Sequence, residues 1–163
     1  MKLLTIMIFL STLVFTACSQ KKGFFSVDER HQSALAHSQK GDIYNSLELK
    51  ASIVATHLNS TMLRYNTENE EVFLVAIYIE EDSSDESKQG LLNKSYLLTL
   101  NGKKPLTFNA LDYHDDMIKI APFRNRWSDY YLVKFKKEIS KKLVMEYAHH
   151  SYGKVTLSFA RDY

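Results

Sequence analysis

Eight consecutive apolar residues, Val72 to Ile79 (Val-Phe-Leu-Val-Ala-Ile-Tyr-Ile), constrain this chain more than any other stretch. They are rich in β-branched and aromatic side chains and leave no polar face. Such a run reads as a central strand of a sheet covered on both sides. Before it, Leu47, Leu49, Ala51, Ile53 and Ala55 alternate with Glu48, Lys50, Ser52, Val54 and Thr56, the period of a half-buried strand. The polar connection from 59 to 71 carries Met62 and Leu63 as expected apolar plugs.

The same period of two returns in Tyr131-Val133-Phe135, in Leu143-Met145-Tyr147 and in Val155-Leu157-Phe159. Tyr96–Leu100 and Leu106–Leu111, joined by Asn101-Gly102, read as a hairpin, because Asn-Gly takes the positive φ angles of a tight turn. Pro105 is tolerated at the start of the return strand. Met117–Ala121 reads as a short strand ended by Pro122, and Ser151–Lys154 as a tight turn. Near the start, Ser26-Val27-Asp28-Glu29 has the form of a capping box, so Val27–Lys40 is expected to be a flanking helix stopped by Gly41.

About eight short strands linked by turns, with no helix recurring between them, predict an antiparallel β-sandwich of immunoglobulin-like or related topology. A closed barrel is the alternative. The single domain is expected to occupy residues 26–163.

The first eighteen residues bear on location. Lys2 is followed by a nearly unbroken apolar run, Leu3–Phe15, and then Thr16-Ala17-Cys18. That run falls short of the roughly 20 apolar residues a spanning helix needs. A basic start, a short apolar core and small residues at the end form the anatomy of an export signal. Phe15-Thr16-Ala17-Cys18 resembles the lipobox of bacterial lipoproteins, although Phe15 departs from the usual Leu. The resemblance covers the leader alone. It implies cleavage after Ala17, acylation of Cys18, and anchorage of the chain to a bilayer. Ser19, where an Asp would favour the inner membrane, implies the outer membrane facing the periplasm. Cys18 is the only cysteine, so the mature domain has neither disulfide nor thiol chemistry. The tether, Ser19–Phe25, reaches at most about 25 Å.

Without residues 1–17 the chain keeps 20 basic and 19 acidic residues. Such a near-neutral balance gives no global field that would recommend nucleic acid as a partner.

Catalytic signals are sparse. His114-Asp115-Asp116 places an imidazole beside carboxylates, the residue types of a general base or a metal ligand, but neighbours in a loop need not converge. His149 and His150 are expected to face opposite sides of a strand, and His57 could approach His149 across strands. Metal-ligand spacing is absent, and the acidic run Glu80–Glu86 lacks the glycine of a calcium loop. No nucleophile motif or phosphate loop occurs, so neither an enzyme nor a cofactor is expected. The cluster most suited to binding is Arg124, Arg126, Trp127, Tyr130 and Tyr131, since Arg, Trp and Tyr dominate interface hot spots. The alternative is that Trp127 and Tyr131 plug the sandwich. The expected function is that of an envelope lipoprotein that binds or positions an envelope protein partner. A small-ligand, metal or cell-wall-fragment binding protein comes second, and a hydrolase third.

Overall fold

The computed structural model describes residues 29–61, 65, 68–81 and 85–161. The leader, Cys18, the tether, Met62, Leu63 and the centre of the acidic run lie outside them. The element order is helix α1 (Glu29–Ala36), β1 (Ser38–Asn45), β2 (Glu48–His57), β3 (Glu70–Ile79), β4 (Tyr96–Leu100), β5 (Thr107–Leu111), helix α2 (Asp116–Lys119), β6 (Asp129–Lys136), β7 (Lys142–His149) and β8 (Gly153–Ala160).

The strands form two antiparallel sheets, β1-β2-β3-β6-β5 and β4-β7-β8. This is the expected sandwich, not a closed barrel. Between the sheets lie Ile53, Phe73, Val75, Ile77, Val133 and Phe135 from the larger and Leu98, Leu143, Met145, Tyr147 and Leu157 from the smaller.

β3 is central, between β2 and β6, and both of its faces are covered. Its outer side chains Val72, Leu74 and Ala76 pack with Tyr130, Leu58, Ile118, Ile120 and Ala121. The eight-residue apolar run therefore serves two cores, one between the sheets and one beneath α2.

α2 corrects the expected strand at Met117–Ala121. Met117, Ile118, Ile120 and Ala121 have the spacing of one helix face. Asp115 caps the turn by accepting the Met117 N–H at 2.8 Å. A four-residue helix has no stability of its own, and packing holds it. Ile118 is fully buried, which is worth roughly 1.5–3 kcal/mol over exposure.

The N-terminal helix is shorter than expected, because Ser38–Asn45 is a strand. Helix α1 ends where His37 Nδ1 donates to the Ser33 carbonyl and the Ser38 hydroxyl donates to the Ala34 carbonyl. β1 then pairs along β2 from Ser38↔Thr56 to Asn45↔Glu48. Its one buried apolar side chain is Ile43, too little to betray a strand by alternation.

The hairpin at Asn101-Gly102 is corrected as well. The turn itself forms, with φ of +47° and +77° and a bridge between Leu100 and Lys103. Beyond that bridge the strands part. β4 pairs with β7 in the small sheet and β5 with β6 in the large one. Asn101 binds Val144 through its backbone N–H and its side-chain oxygen, holding the end of β4 to β7. Pro105 offers no N–H to continue the ladder. The Leu106 N–H instead reaches the Lys134 carbonyl of β6. One tight turn thus carries the chain from one sheet to the other.

Candidate functional site

Residues 122–128 lie between α2 and β6 and shape the most exposed aromatic surface among the described residues. Phe123 takes a φ of +58°, rare for a bulky residue and on the order of 1–3 kcal/mol in strain. Asn125 holds this conformation. Its Oδ1 accepts the Trp127 N–H at 2.9 Å, and its Nδ2 donates to the Phe123 carbonyl at 3.3 Å. Its own N–H donates to the Tyr130 hydroxyl, which in turn donates to the Asn125 carbonyl. The rings are left standing in solvent, Trp127 81% and Phe123 65% exposed.

These two rings wall a trough of ≈ 660 Å³ on the outer face of the large sheet. Small residues of β2 and β3, Ser52, Val54 and Ala76, form its floor. Leu49, Tyr78 and Lys40 complete the lining, and Lys40 pairs with Asp42 at 3.5 Å. The α2 segment covers one part of this sheet face, and the trough is the part left open.

The five residues singled out from sequence do not make one surface. Tyr130 and Tyr131 are neighbours on a strand and face opposite sides. Tyr130 lies in the outer core and Tyr131 between the sheets, both 3% exposed. Arg124 and Arg126 turn to the far side of the loop. The Arg124 guanidinium lies 4.1 Å from the centre of the Tyr113 ring and donates to the Tyr113 carbonyl. Arg126 is 5.9 Å from the same ring. Trp127 remains, joined by Phe123, Leu49 and Tyr78. Trp127 plugs nothing; Tyr131 does.

A polar hollow of ≈ 680 Å³ lies on the other side of the loop, with His114, Asp112, Arg126 and Asp129 on its walls. The groups of His114-Asp115-Asp116 do not converge there. The His114 N–H donates to Asp112, Asp115 caps α2, and Asp116 pairs with Lys119, which holds its carboxyl below the usual range. These are turn-building roles. Burial pushes the Asp129 carboxyl up.

His149 and His150 do approach each other, contrary to the strand expectation, because β7 ends at His149 and His150 belongs to the turn. Their ring centres are 4.3 Å apart. His149 Nδ1 accepts the N–H groups of Ser151 and Tyr152, at 3.0 and 3.2 Å. Burial, and next the neighbouring His150, lower the pKa of His149. His57 does not approach it. The ring of His57 neighbours Phe159, which pairs with Leu143 at the opposite end of β7.

His57 belongs instead to a buried charge cluster that composition and motif did not disclose. His57 and Glu71 are each 2% exposed, and His57 Nε2 lies 2.9 Å from Glu71 Oε2. The other Glu71 oxygen accepts from Arg161. Ser60 Oγ is 2.9 Å from His57 Nδ1, and the imidazole stacks on Phe73 with centres 4.8 Å apart. A readable signal exists. His57 continues the inward alternation Ala51-Ile53-Ala55, Glu71 precedes Phe73-Val75-Ile77, and Arg161 follows Val155-Leu157-Phe159. Three strands each place a polar residue on the inward face at the same end of the sandwich.

Compared with protein-family models, curated proteins and solved structures, the chain matches none.

Among the described residues no three His, Cys, Asp or Glu side chains gather as metal ligands, and no helix is long and apolar enough to cross a membrane. Of the acidic run, Glu80 pairs with Lys50, and Asp85 caps a short 3₁₀ turn by accepting the Ser87 N–H.

Proposed function

We propose that the protein is an exported lipoprotein, anchored through acylated Cys18, whose sandwich holds a second envelope protein by the trough beside Trp127. The anchor rests on the lipobox-like Phe15-Thr16-Ala17-Cys18. One observation carries the binding half. Two large rings, 81% and 65% exposed, are fixed by Asn125 over a floor of small side chains on an open sheet face. Rigid exposed aromatic rings are the anchors that dominate interface energies. The floor admits apolar side chains. The partner is therefore a protein segment that presents apolar side chains.

A photo-crosslinking residue in place of Trp127, activated in intact cells, tests this. A single protein adduct, lost when Phe123 and Tyr78 are changed to Ala, is the expected result. No protein adduct, with the domain folded and at the membrane, would overturn it. The trough volume also lies within the range of small-molecule sites, and a co-purifying small ligand in place of an adduct would favour that reading.

A further inference from the structure

The end of the sandwich opposite the β1–β2 turn gathers basic side chains. The end of β6, the connection after it and the start of β7 supply Lys136, Lys137, Lys141 and Lys142, all exposed. The turn after β4 adds Lys103 and Lys104, also exposed, and Lys103 reaches into the same connection through its ion pair with Glu138. The Lys137 N–H donates to the Asn69 carbonyl and the Arg161 N–H to the Lys141 carbonyl, so these segments adjoin. Among the described residues, the same end sets against six lysines Glu138, bound to Lys103; Glu70, bound to Lys134; Glu71, buried with Arg161; and exposed Glu68. At the centre of the basic connection Ile139 is 97% exposed, and Leu106, beside the Lys103 turn, is 57% exposed.

The chain also enters the domain at this end. β1 starts at Ser38, paired with Thr56 beside His57, and α1 leads into it. Glu29 is one eight-residue helix away, about 12 Å at 1.5 Å per residue. Helix α1 thus leads into the domain at the end that carries the lysines. Sustained net positive charge around exposed apolar side chains matches the chemistry of an anionic lipid surface, where basic groups meet headgroups and apolar side chains enter the interface.

We infer that the domain stands end-on, with Lys103, Lys137, Lys141 and Lys142 on anionic headgroups and Ile139 dipping between them. This rests on the anchor reading above. The Trp127 trough, on the outer face of β2 and β3, then opens sideways, parallel to the bilayer plane. β2 has ten residues, so the β1–β2 turn stands on the order of 30 Å from the surface.

The test uses the full processed chain with Ile139→Cys or, at the far tip, Leu47→Cys, each labelled with a fluorophore. Each is bound to vesicles of phosphatidylcholine alone or mixed with phosphatidylglycerol, both carrying a lipid-borne quencher. Quenching at position 139 should rise several-fold on the mixed vesicles and not at position 47. It should fall back at about 0.5 M salt, where screening is strong. Changing Lys103, Lys137, Lys141 and Lys142 to Gln should abolish the rise. Equal quenching at 139 on both lipids, or at 47 as much as at 139, overturns the end-on arrangement. The unmutated chain reports on the anchor separately, because acylated Cys18 takes up no thiol label. If it is labelled and washes off neutral vesicles, the anchor reading has failed. In that case a Cys18→Ser background decides the basic end by sedimentation, and failure to pellet with the mixed vesicles overturns it.

Discussion

Gly41 of β1 lies directly beneath Val155 of β8: a Cβ at position 41 would come within 2.2 Å of Val155 Cγ2. The two strands belong to different sheets, so this contact sets how closely the edges of the sandwich approach. Val155 is β-branched and stiff and cannot swing aside cheaply. Gly41→Ala should destabilise the domain by about 1–3 kcal/mol, the usual range for overpacking. Val155→Ala in the same chain should recover part of that loss, read as a rise in the urea midpoint. No recovery would show that the clash is not with Val155.

The His57–Glu71–Arg161 cluster ties together the ends of β2, β3 and β8. Removing one member takes the charge partner from the others, so Glu71→Gln should cost about 3–5 kcal/mol. Replacing all three by apolar residues of similar size should cost far less. Denaturant unfolding of the two variants separates a structural cluster from one that stability does not need.

His149 gives the hairpin between β7 and β8 a sensitivity to acid. Its Nδ1 can accept the Ser151 and Tyr152 N–H groups only while it carries no proton. Burial, and next the neighbouring His150, lower its folded pKa from 6.5, and the unfolded chain binds more protons through that window. Stability therefore rises with pH there: the contribution is complete above about 6.5 and is lost as pH falls through the lowered folded value. Thermal unfolding between pH 7 and pH 5 should show the decline, and His149→Asn should flatten it.

Asp129 has the opposite sign. Burial raises its folded pKa above 3.8, so its contribution is complete below that value and lost as the group ionises at higher pH. Asp129→Asn should raise the melting temperature at pH 7 and leave it nearly unchanged near pH 3. A drop at pH 7 would mean that the carboxylate has a partner worth more than its desolvation.

Trp127→Ala should leave stability within about 0.5 kcal/mol, because the ring is 81% exposed. Capture of the protein partner should fall at least tenfold in the same variant. A large loss of stability would mean that the ring has a structural role in the folded domain.

Much of the sandwich was legible because alternation records burial directly. Val72–Ile79 is central, β2 and β6 to β8 fall where apolar residues recur every second position, and the turn at Asn101-Gly102 forms where its φ angles demand. β1 was not legible because an edge strand buries little, and Ser38–Asn45 holds one buried apolar side chain. α2 was missed because four apolar residues in five satisfy either period.

The site divides in the same way. Trp127 and Arg124 stand out by residue type, but type does not say which side of a loop a side chain takes. Local chemistry written in the sequence set the strands, the turns and the inward phase that already held His57, Glu71 and Arg161. Tertiary structure alone decided that these three meet, that Tyr130 and Tyr131 part, and that Asn101-Gly102 passes the chain between sheets. The reason is physical: phase along a strand is a local property, whereas contact depends on pairing between segments far apart in the chain.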